Sequence, residues 1–574
     1  MDRINPVLTS IENDERRAKS IAYSRRKWLS KLLKTGNEKI IDAYEKYDRL
    51  CTEDTENSGI MPKSGAVAPV KPLTIRELAK MSNAQIADYL NNYQETEIIS
   101  MPFLAGRGLA DTLAEYVESK PQRFAGDLLP FQSVRNLYQS SLLRGFLNAW
   151  KDKKTFDWAA LLGFIRSILV SEHFWNEQYE DGFNYRNWVL STAADLIAEG
   201  TKDDIHAFDT QLLPLAEEIL LILVDQAQQS VSTLDNLPTD VLNSDRGRVF
   251  SAMVDYALRF ARTSKSEYTD CRWPYVIRAD FTKRLDRSIE PSLEFSYTLG
   301  FHLPYLMYLD KEWVHLNINR IFPQQDEDHW QAAFSGYLLH PGVREEFHSL
   351  LKAHGHYQRA LSTHFADAEV RNKLVNHICT GWIEDSETLD DKTGLIYQLI
   401  YSGNPNLLAG MVYFFSERAD NPSDKVKVKV IPAWRAVFEV LSAHRDETEY
   451  QKVLSPLSQW IGLIDKIDDE VLAWIKVSIN YLDKVPGYAF TLSKVIEALQ
   501  KHVLITPEKV GEIYLEIPES ELWFLEQTQK NEVEETVRTL YKKRHNAIAE
   551  AICERFAKAG ALFLRSVREE HKKP

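Results

Sequence analysis

Apolar residues in this chain recur at the spacing of an α-helix along nearly its whole length, and almost nowhere at the spacing of a strand. Trp158, Leu161, Leu162, Ile165, Ile168 and Leu169 fall at i, i+3, i+4, i+7, i+10 and i+11, one stripe of a helix. Phe250, Met253, Val254, Ala257, Leu258 and Ala261 repeat the pattern, as do Val471, Trp474, Ile475, Ser478, Ile479 and Leu482. Helix boundaries follow the same logic. Asp157 is placed to cap the helix opening at Trp158, and Asn243 or Ser244 the one carrying Phe250. Thr506-Pro507 reads as a cap followed by proline at the first helical position. Gly36 and Gly200 suit left-handed caps at helix ends.

One run breaks the rule. Lys425-Val426-Lys427-Val428-Lys429-Val430 alternates with period two and, read alone, is an exposed strand. No second alternating run exists to pair with it, and a lone strand leaves its hydrogen bonds unmade. A loop, or the first turns of a helix disturbed at Pro432, is the better reading.

A chain of 574 residues exceeds what one hydrophobic core serves. Many helices with short loops and no sheet then imply stacked pairs, each buried against the next. The expected fold is all-α, an irregular α-solenoid of stacked helical hairpins forming a HEAT- or TPR-like superhelix. No fixed repeat of 33 to 47 residues is visible, so the repeats are degenerate. Residues 52–72 form the best linker, being acidic and polar with scattered Gly and Pro. Residues 230–243 are a second polar break, and 402–406 and 420–424 are loops. The expected divisions are an N-terminal helical segment at 1–51, the linker at 52–72, and helical regions at 73–230, 231–402 and 403–574.

Charge and cysteine usage exclude several functions. Asp and Glu number 83 against 69 Lys and Arg, and a net charge of −14 repels phosphate backbones, so nucleic acid is not an expected partner. Cys51, Cys271, Cys379 and Cys553 are widely separated, with no CxxC spacing for zinc and no disulfide framework. Free thiols fit a reducing compartment. The N-terminus, Met1-Asp2-Arg3, is polar, and the apolar run near Ile219–Val224 is far shorter than the ~20 residues a membrane span needs. The expected location is the cytoplasm, with no membrane contact.

Motifs of catalysis are missing from the sequence. It contains no GxxxxGK followed by Ser or Thr, no GxGxxG, no GxSxG and no HExxH. The expectation is a non-enzyme without metal or cofactor. Histidines concentrate at His340, His348, His354, His356, His364 and His377. A metal would use His354 and His356, but no acidic partner stands at helical spacing, and helix-surface or loop histidines are the plainer reading. The paired acids Asp390-Asp391 and Asp468-Asp469-Glu470 read as helix-start residues favoured by the dipole. Arg16, Arg17, Lys19, Arg25, Arg26, Lys27, Lys31 and Lys34 read as one solvated helix face, and Lys542, Lys543 and Arg544 likewise.

Aromatics are the remaining candidates. Trp158, Trp188, Trp460 and Trp474 lie on apolar stripes and are expected in the core. Trp273, Trp313, Trp330, Trp382 and Trp523 fall near helix ends or loops, where an exposed indole could anchor a protein interface. Trp273, Trp313, Trp330 and Trp382, with Arg246 and Arg248, form the candidate protein-binding set.

Several segments together resemble a known family. They include Pro72–Met81, Ile86–Tyr93, Gly108-Leu109, Val117–Phe124, and Phe131–Trp158 with its Asp157-Trp158 pair. The most specific is Leu242-Asn243-Ser244-Asp245-Arg246-Gly247-Arg248 leading into Val249–Arg262. Trp330, Gly336-Tyr337-Leu338, Trp434 and the run Ile548–Leu564 follow in order. The set is similar to the C-terminal helical-repeat sensor region of antiviral STAND ATPases of the AVAST type, over nearly the whole chain. The resemblance implies a sensor that grips a conserved phage protein, such as the large terminase or the portal, and releases an ATPase to activate an effector. The chain departs from that family in lacking the ATPase and effector, which would then act in cis or in trans. The alternative is a general α-solenoid scaffold or adaptor for cellular protein complexes.

Overall fold

The computed structural model describes residue 43 and residues 72–93, 103–178, 183–227, 233–264, 272–342, 344–384, 388–482, 488–522 and 525–572. The chain divides into two units, Met1–Pro69 and Val70–Pro574. The expected helical segment 1–51 apart from residue 43, the linker up to residue 71, the basic face at 16–34, Gly36, Cys51, Cys271 and Trp523 lie outside the described residues. The expected divisions after 230 and 402 fall inside the second unit.

That unit is all-α, an irregular α-solenoid of stacked helical hairpins, and among the described residues it has no β-strand. One row of helices packs each member on the next in chain order. It runs through Phe103–Ser119 (α1), Asn136–Lys151 (α2), Tyr185–Thr201 (α3), Asp245–Thr263 (α4), Leu293–Phe301 (α5), Glu327–Leu339 (α6), Ala368–Glu384 (α7) and Pro405–Ser416 (α8). The row continues across the 3-10 turn Ser458–Leu463 to Tyr488–His502 (α9) and Gln527–Lys542 (α10). A second set lies against it, in which Trp158–Leu169 packs on Leu213–Gln226, and Asp469–Ile479, Pro507–Glu516 and Asn546–Lys558 follow one another. Contacts between sequence neighbours dominate, which lets a degenerate repeat bury one continuous core.

Small residues set the closeness of the row. A Cβ on Gly145 of α2 would lie 2.6 Å from the Val117 Cβ of α1. Gly300 of α5 abuts the Ala333 carbonyl of α6, and Gly336 of α6 abuts the Tyr297 carbonyl of α5, so these two backbones touch directly. Gly200 does not end its helix. It lies within α3 at ordinary helical φ, where Phe208 and Trp158 occupy the space of a side chain. Steric closeness, not a left-handed turn, selects glycine there.

The expected stripes are buried, with Leu258 and Ala261 only partly so. Asp157 accepts a hydrogen bond from Ala160 N, and Ser244, not Asn243, caps α4 by accepting from Gly247 N. Thr506 precedes Pro507 as expected, but its hydroxyl donates back to His502 O instead of capping. The polar break 230–243 contains a helix, Leu237–Asn243.

The Lys-Val run is helical. It opens Asp424–Ala443, with Pro432 inside the helix. Val426, Val430, Trp434 and Val437 form its buried stripe at helical spacing, while Val428 is exposed. The lysines find separate partners: Lys425 pairs with Glu384, Lys427 Nζ with Asp465 at 2.8 Å, and Lys429 Nζ donates to Trp382 O at 2.7 Å. Pro432 deprives the Val428 carbonyl of its helical donor, and does so at an exposed residue, where the loss is least costly.

Candidate protein-recognition surface

The segment Leu242–Arg248 is a folding device. Gly247 lets the Val241 carbonyl approach α4, which no Cβ would permit. Arg246 is buried. Its Nε donates to Glu290 at 2.9 Å, its Nη2 to the other Glu290 oxygen, and its Nη1 to Ala227 O at 2.7 Å. Arg284 adds Nη1 to Glu290 at 3.1 Å and Nη2 to Asp225 at 2.6 Å. Burial alone would raise the Glu290 carboxyl, but hydrogen bonds from Arg246 and Ser292 and the charge of Arg284 outweigh it and hold it below the usual range. Arg248 is half-buried and donates to Asp195 at 2.8 Å and to Leu242 O at 3.0 Å. Among the candidate arginines only Arg248 reaches the surface, and it is engaged.

The candidate tryptophans are core residues. Trp273 and Trp313 are each 4% exposed, Trp382 3% and Trp330 0%. Trp273 packs edge-on against Trp313 at 4.9 Å, and the Trp313 indole donates to Thr282 Oγ1. Trp330 stacks on Phe334 and donates to His356 Nδ1 at 3.1 Å. Lys429 Nζ sits 4.7 Å over the Trp382 ring. As folded, none of the four can serve as a surface anchor, because the neighbouring helix covers each indole. The expectation for Trp188 reverses in the other direction: it is 42% exposed, beside Phe183 and Tyr185 and beneath Arg107. Trp158, Trp460 and Trp474 are buried as expected.

An exposed aromatic group lies where helix Tyr275–Arg284 begins and helix Leu303–Leu309 ends. Arg272 N donates to Leu309 O at 2.7 Å, which ties the entry of helix Tyr275–Arg284 to the end of helix Leu303–Leu309. The Arg272 guanidinium lies 4.7 Å over the Tyr308 ring and donates to Tyr308 O. Tyr275 is 83% exposed, and Tyr308 and Tyr305 are also exposed. Arg278 bridges to Asp310 at 3.0 Å, and Asp310 caps the helix that carries Trp313. Tyr and Arg are the residue types that anchor protein interfaces, and here the backbone tie to Leu309 and the Arg272–Tyr308 contact hold two of them in place. A sequence signal for two of them exists: Leu303, Leu306, Met307 and Leu309 make the buried side of their helix, which leaves Tyr305 and Tyr308 off it.

The histidines are mostly interior. His377 Nδ1 meets Tyr357 OH at 3.1 Å, and Tyr357 OH meets Tyr337 OH at 3.0 Å. Rings of His354 and His356 are 6.1 Å apart, and the His356 Nδ1 is taken by Trp330. Among the described residues no three His, Cys, Asp or Glu side chains converge on a metal-sized site. Ser296 Oγ lies 2.8 Å from His329 Nδ1, and His329 Nε2 lies 3.9 Å from Asp326. These are the residue types of a nucleophile relay, but Ser296 is wholly buried between α5 and α6, and Asp326 spends an oxygen capping α6. The paired acids are similarly occupied: Asp468 caps a helix, Asp469 pairs with Lys509, and Glu470 pairs with Arg435 through two hydrogen bonds.

Burial gives these histidines a pH consequence. It pushes His302 and His377 down to about 3 and His356 to about 4, reinforced by His340 for the first, His348 and Lys373 for the second, and His354 and Arg359 for the third. Folded-state pKa values below the unfolded one mean that the unfolded chain binds more protons as pH falls below about 6.5. Their stabilising contribution is therefore full above neutrality and lost on acidification. Between pH 7 and 5 each costs about 2 kcal/mol. Burial also raises Asp245 and Asp255 to about 6, which acts oppositely and returns about 1.3 kcal/mol each. The three histidines outweigh the two aspartates, so the expected result is a lower urea midpoint at pH 5 than at pH 7, read by tryptophan fluorescence. The variant His302→Phe should lose less on acidification than the wild type. An unchanged midpoint would refute the assignment.

Among the described residues no helix is long and apolar enough to cross a membrane. No protein-family profile, curated protein or solved structure matches the chain.

Proposed function

We propose that the chain is a protein-recognition module, the sensor part of an antiphage STAND system, binding a conserved phage structural or packaging protein. The observation that carries the recognition reading is the group of exposed Tyr275 and Tyr308 beside half-buried Arg272, whose guanidinium lies over the Tyr308 ring and donates to the Tyr308 carbonyl. An anchor already held in place loses little entropy on binding. The antiphage part rests on the ordered resemblance of Pro72–Met81, Leu242–Arg248 and Ile548–Leu564 to AVAST-type sensors.

In this reading the partner is the large terminase or the portal, and binding frees a STAND ATPase, in cis or in trans, to switch on an effector in the cytoplasm. The coupling requires that the phage protein bind the released state more tightly than the resting one. The test is size-exclusion chromatography of the purified chain with each phage protein. Co-elution with one of them is expected. Co-elution with neither, together with stable host-protein complexes recovered from uninfected cells, would replace the reading with a general scaffold.

A further inference from the structure

We infer that the pocket between the loop preceding α7 and the start of α8 binds a carboxylate carried by an acidic side chain of a peptide. The pocket encloses about 370 Å³, within the range of small-ligand sites. Its apolar wall is formed by Phe365, Leu374 and Leu407, all buried. Arg371 supplies the charge. Its Nη1 donates to Ala366 O at 2.8 Å and to Phe365 O, and these two bonds fix the guanidinium. Among the described residues its Nε and Nη2 take no hydrogen bond. That edge is the fork a carboxylate accepts from with both oxygens.

The opposite wall is the first turn of α8, a helix of 12 residues. Asn404 occupies two of its donors, accepting from Asn406 N through Oδ1 at 3.0 Å and from Leu408 N through its carbonyl at 3.1 Å. Among the described residues the Leu407 N–H between them has no backbone acceptor, and Leu407 lines the pocket. Helix dipole and orphan N–H therefore add to the guanidinium. None of the twelve lining residues is acidic, in a chain where Asp and Glu outnumber Lys and Arg by 83 to 69. The loop is also anchored from α6, because Gln331 Nε2 donates to His364 O at 3.2 Å. A positive, walled site with a small apolar floor fits a glutamate side chain, methylenes inward and carboxylate on the fork.

The peptide as carrier of the carboxylate rests on the recognition reading; the preference for a carboxylate does not. The test is calorimetric titration of the full chain with three probes: a capped pentapeptide with one central glutamate, the same peptide with glutamine, and inorganic phosphate. The glutamate peptide should saturate with a Kd on the order of 1 mM, and the glutamine peptide should bind roughly tenfold weaker or not at all. Arg371→Gln should abolish binding. Asn406→Asp, at an exposed first-turn position where an acid favours the helix, should fold normally and weaken binding roughly tenfold through repulsion. Equal binding of the two peptides, no saturation by about 20 mM, or an unaffected Asn406→Asp variant would overturn the proposal. So would phosphate binding without peptide binding, which would assign the pocket to free inorganic anions. Failure of the phage proteins to bind the chain, with the peptide result intact, would count against the recognition reading alone.

Discussion

Gly300→Ala is expected to destabilise the protein by about 3 kcal/mol or more, the largest effect of any single added methyl group in the row. The new Cβ would fall on the Ala333 carbonyl, a backbone atom that cannot rotate aside, with Ala333 C and Tyr337 N close behind. Relief requires α5 and α6 to separate. That would unpack Tyr297 and the buried Ser296–His329 hydrogen bond on the same seam. The roughly 1 kcal/mol of helix propensity gained from alanine does not offset this. Gly163→Ala is the matched control. Gly163 lies inside Trp158–Leu169 with nothing within 4 Å of a built Cβ, so the same change should stabilise by about 0.5–1 kcal/mol. Urea midpoints of the two variants should move in opposite directions. Movement of both in the same direction would contradict the packing.

Glu290→Leu is expected to cost about 3–5 kcal/mol. Glu290 is fully buried and ties together three elements: α4 through Arg246, helix Tyr275–Arg284 through Arg284, and the cap of α5 through Ser292, whose hydroxyl donates at 2.6 Å. Removing it leaves two guanidinium groups facing one another with no carboxylate between them. Arg284 retains Asp225 and Asp280, but Arg246 keeps only the carbonyls of Val224 and Ala227. The penalty comes from stranded charge more than from the pair's net worth. Replacing Arg246, Arg284 and Glu290 together with apolar residues of similar volume should therefore recover much of the loss. Circular dichroism melts of the single and triple variants distinguish the two effects. A triple variant as unstable as Glu290→Leu would refute the charge argument.

Surface ion pairs make a weaker contribution. Arg435–Glu470 and Lys476–Glu512 link neighbouring helices of the solenoid, and Lys427–Asp465 ties helix Asp424–Ala443 to the loop after Ser458–Leu463, but all three are open to solvent that screens them. They align neighbouring helices rather than hold them.

The helices and most of their buried stripes were legible because a period of 3.6 depends only on local spacing. Caps were legible where the chemistry is local, as at Asp157 and Ser244. The Lys-Val run is legible in part: the lack of a partner strand argues against a strand, and the spacing of Val426, Val430 and Trp434 separates a helix from a loop. Three kinds of feature escaped. Gly200 follows a periodic stretch, but its reason is Phe208, eight residues on and folded back. The tryptophans were misjudged because position along a helix says little about which side the next helix covers. Trp273 sits near a helix start and is buried by Trp313, whereas Tyr275, two residues later, faces out. The pocket at Arg371 joins residues more than thirty apart in sequence, a proximity that no local pattern encodes.

Recognition through the Arg272–Tyr275–Tyr308 cluster is tested most directly by the affinity of the chain for the large terminase and the portal, with and without that cluster. Tyr275→Ala and Tyr308→Ala, both at exposed positions, should leave the melting curve nearly unchanged and weaken binding of the cognate phage protein at least about tenfold. Undiminished binding in the doubly substituted chain, or no binding of either phage protein at micromolar concentration, would contradict the account.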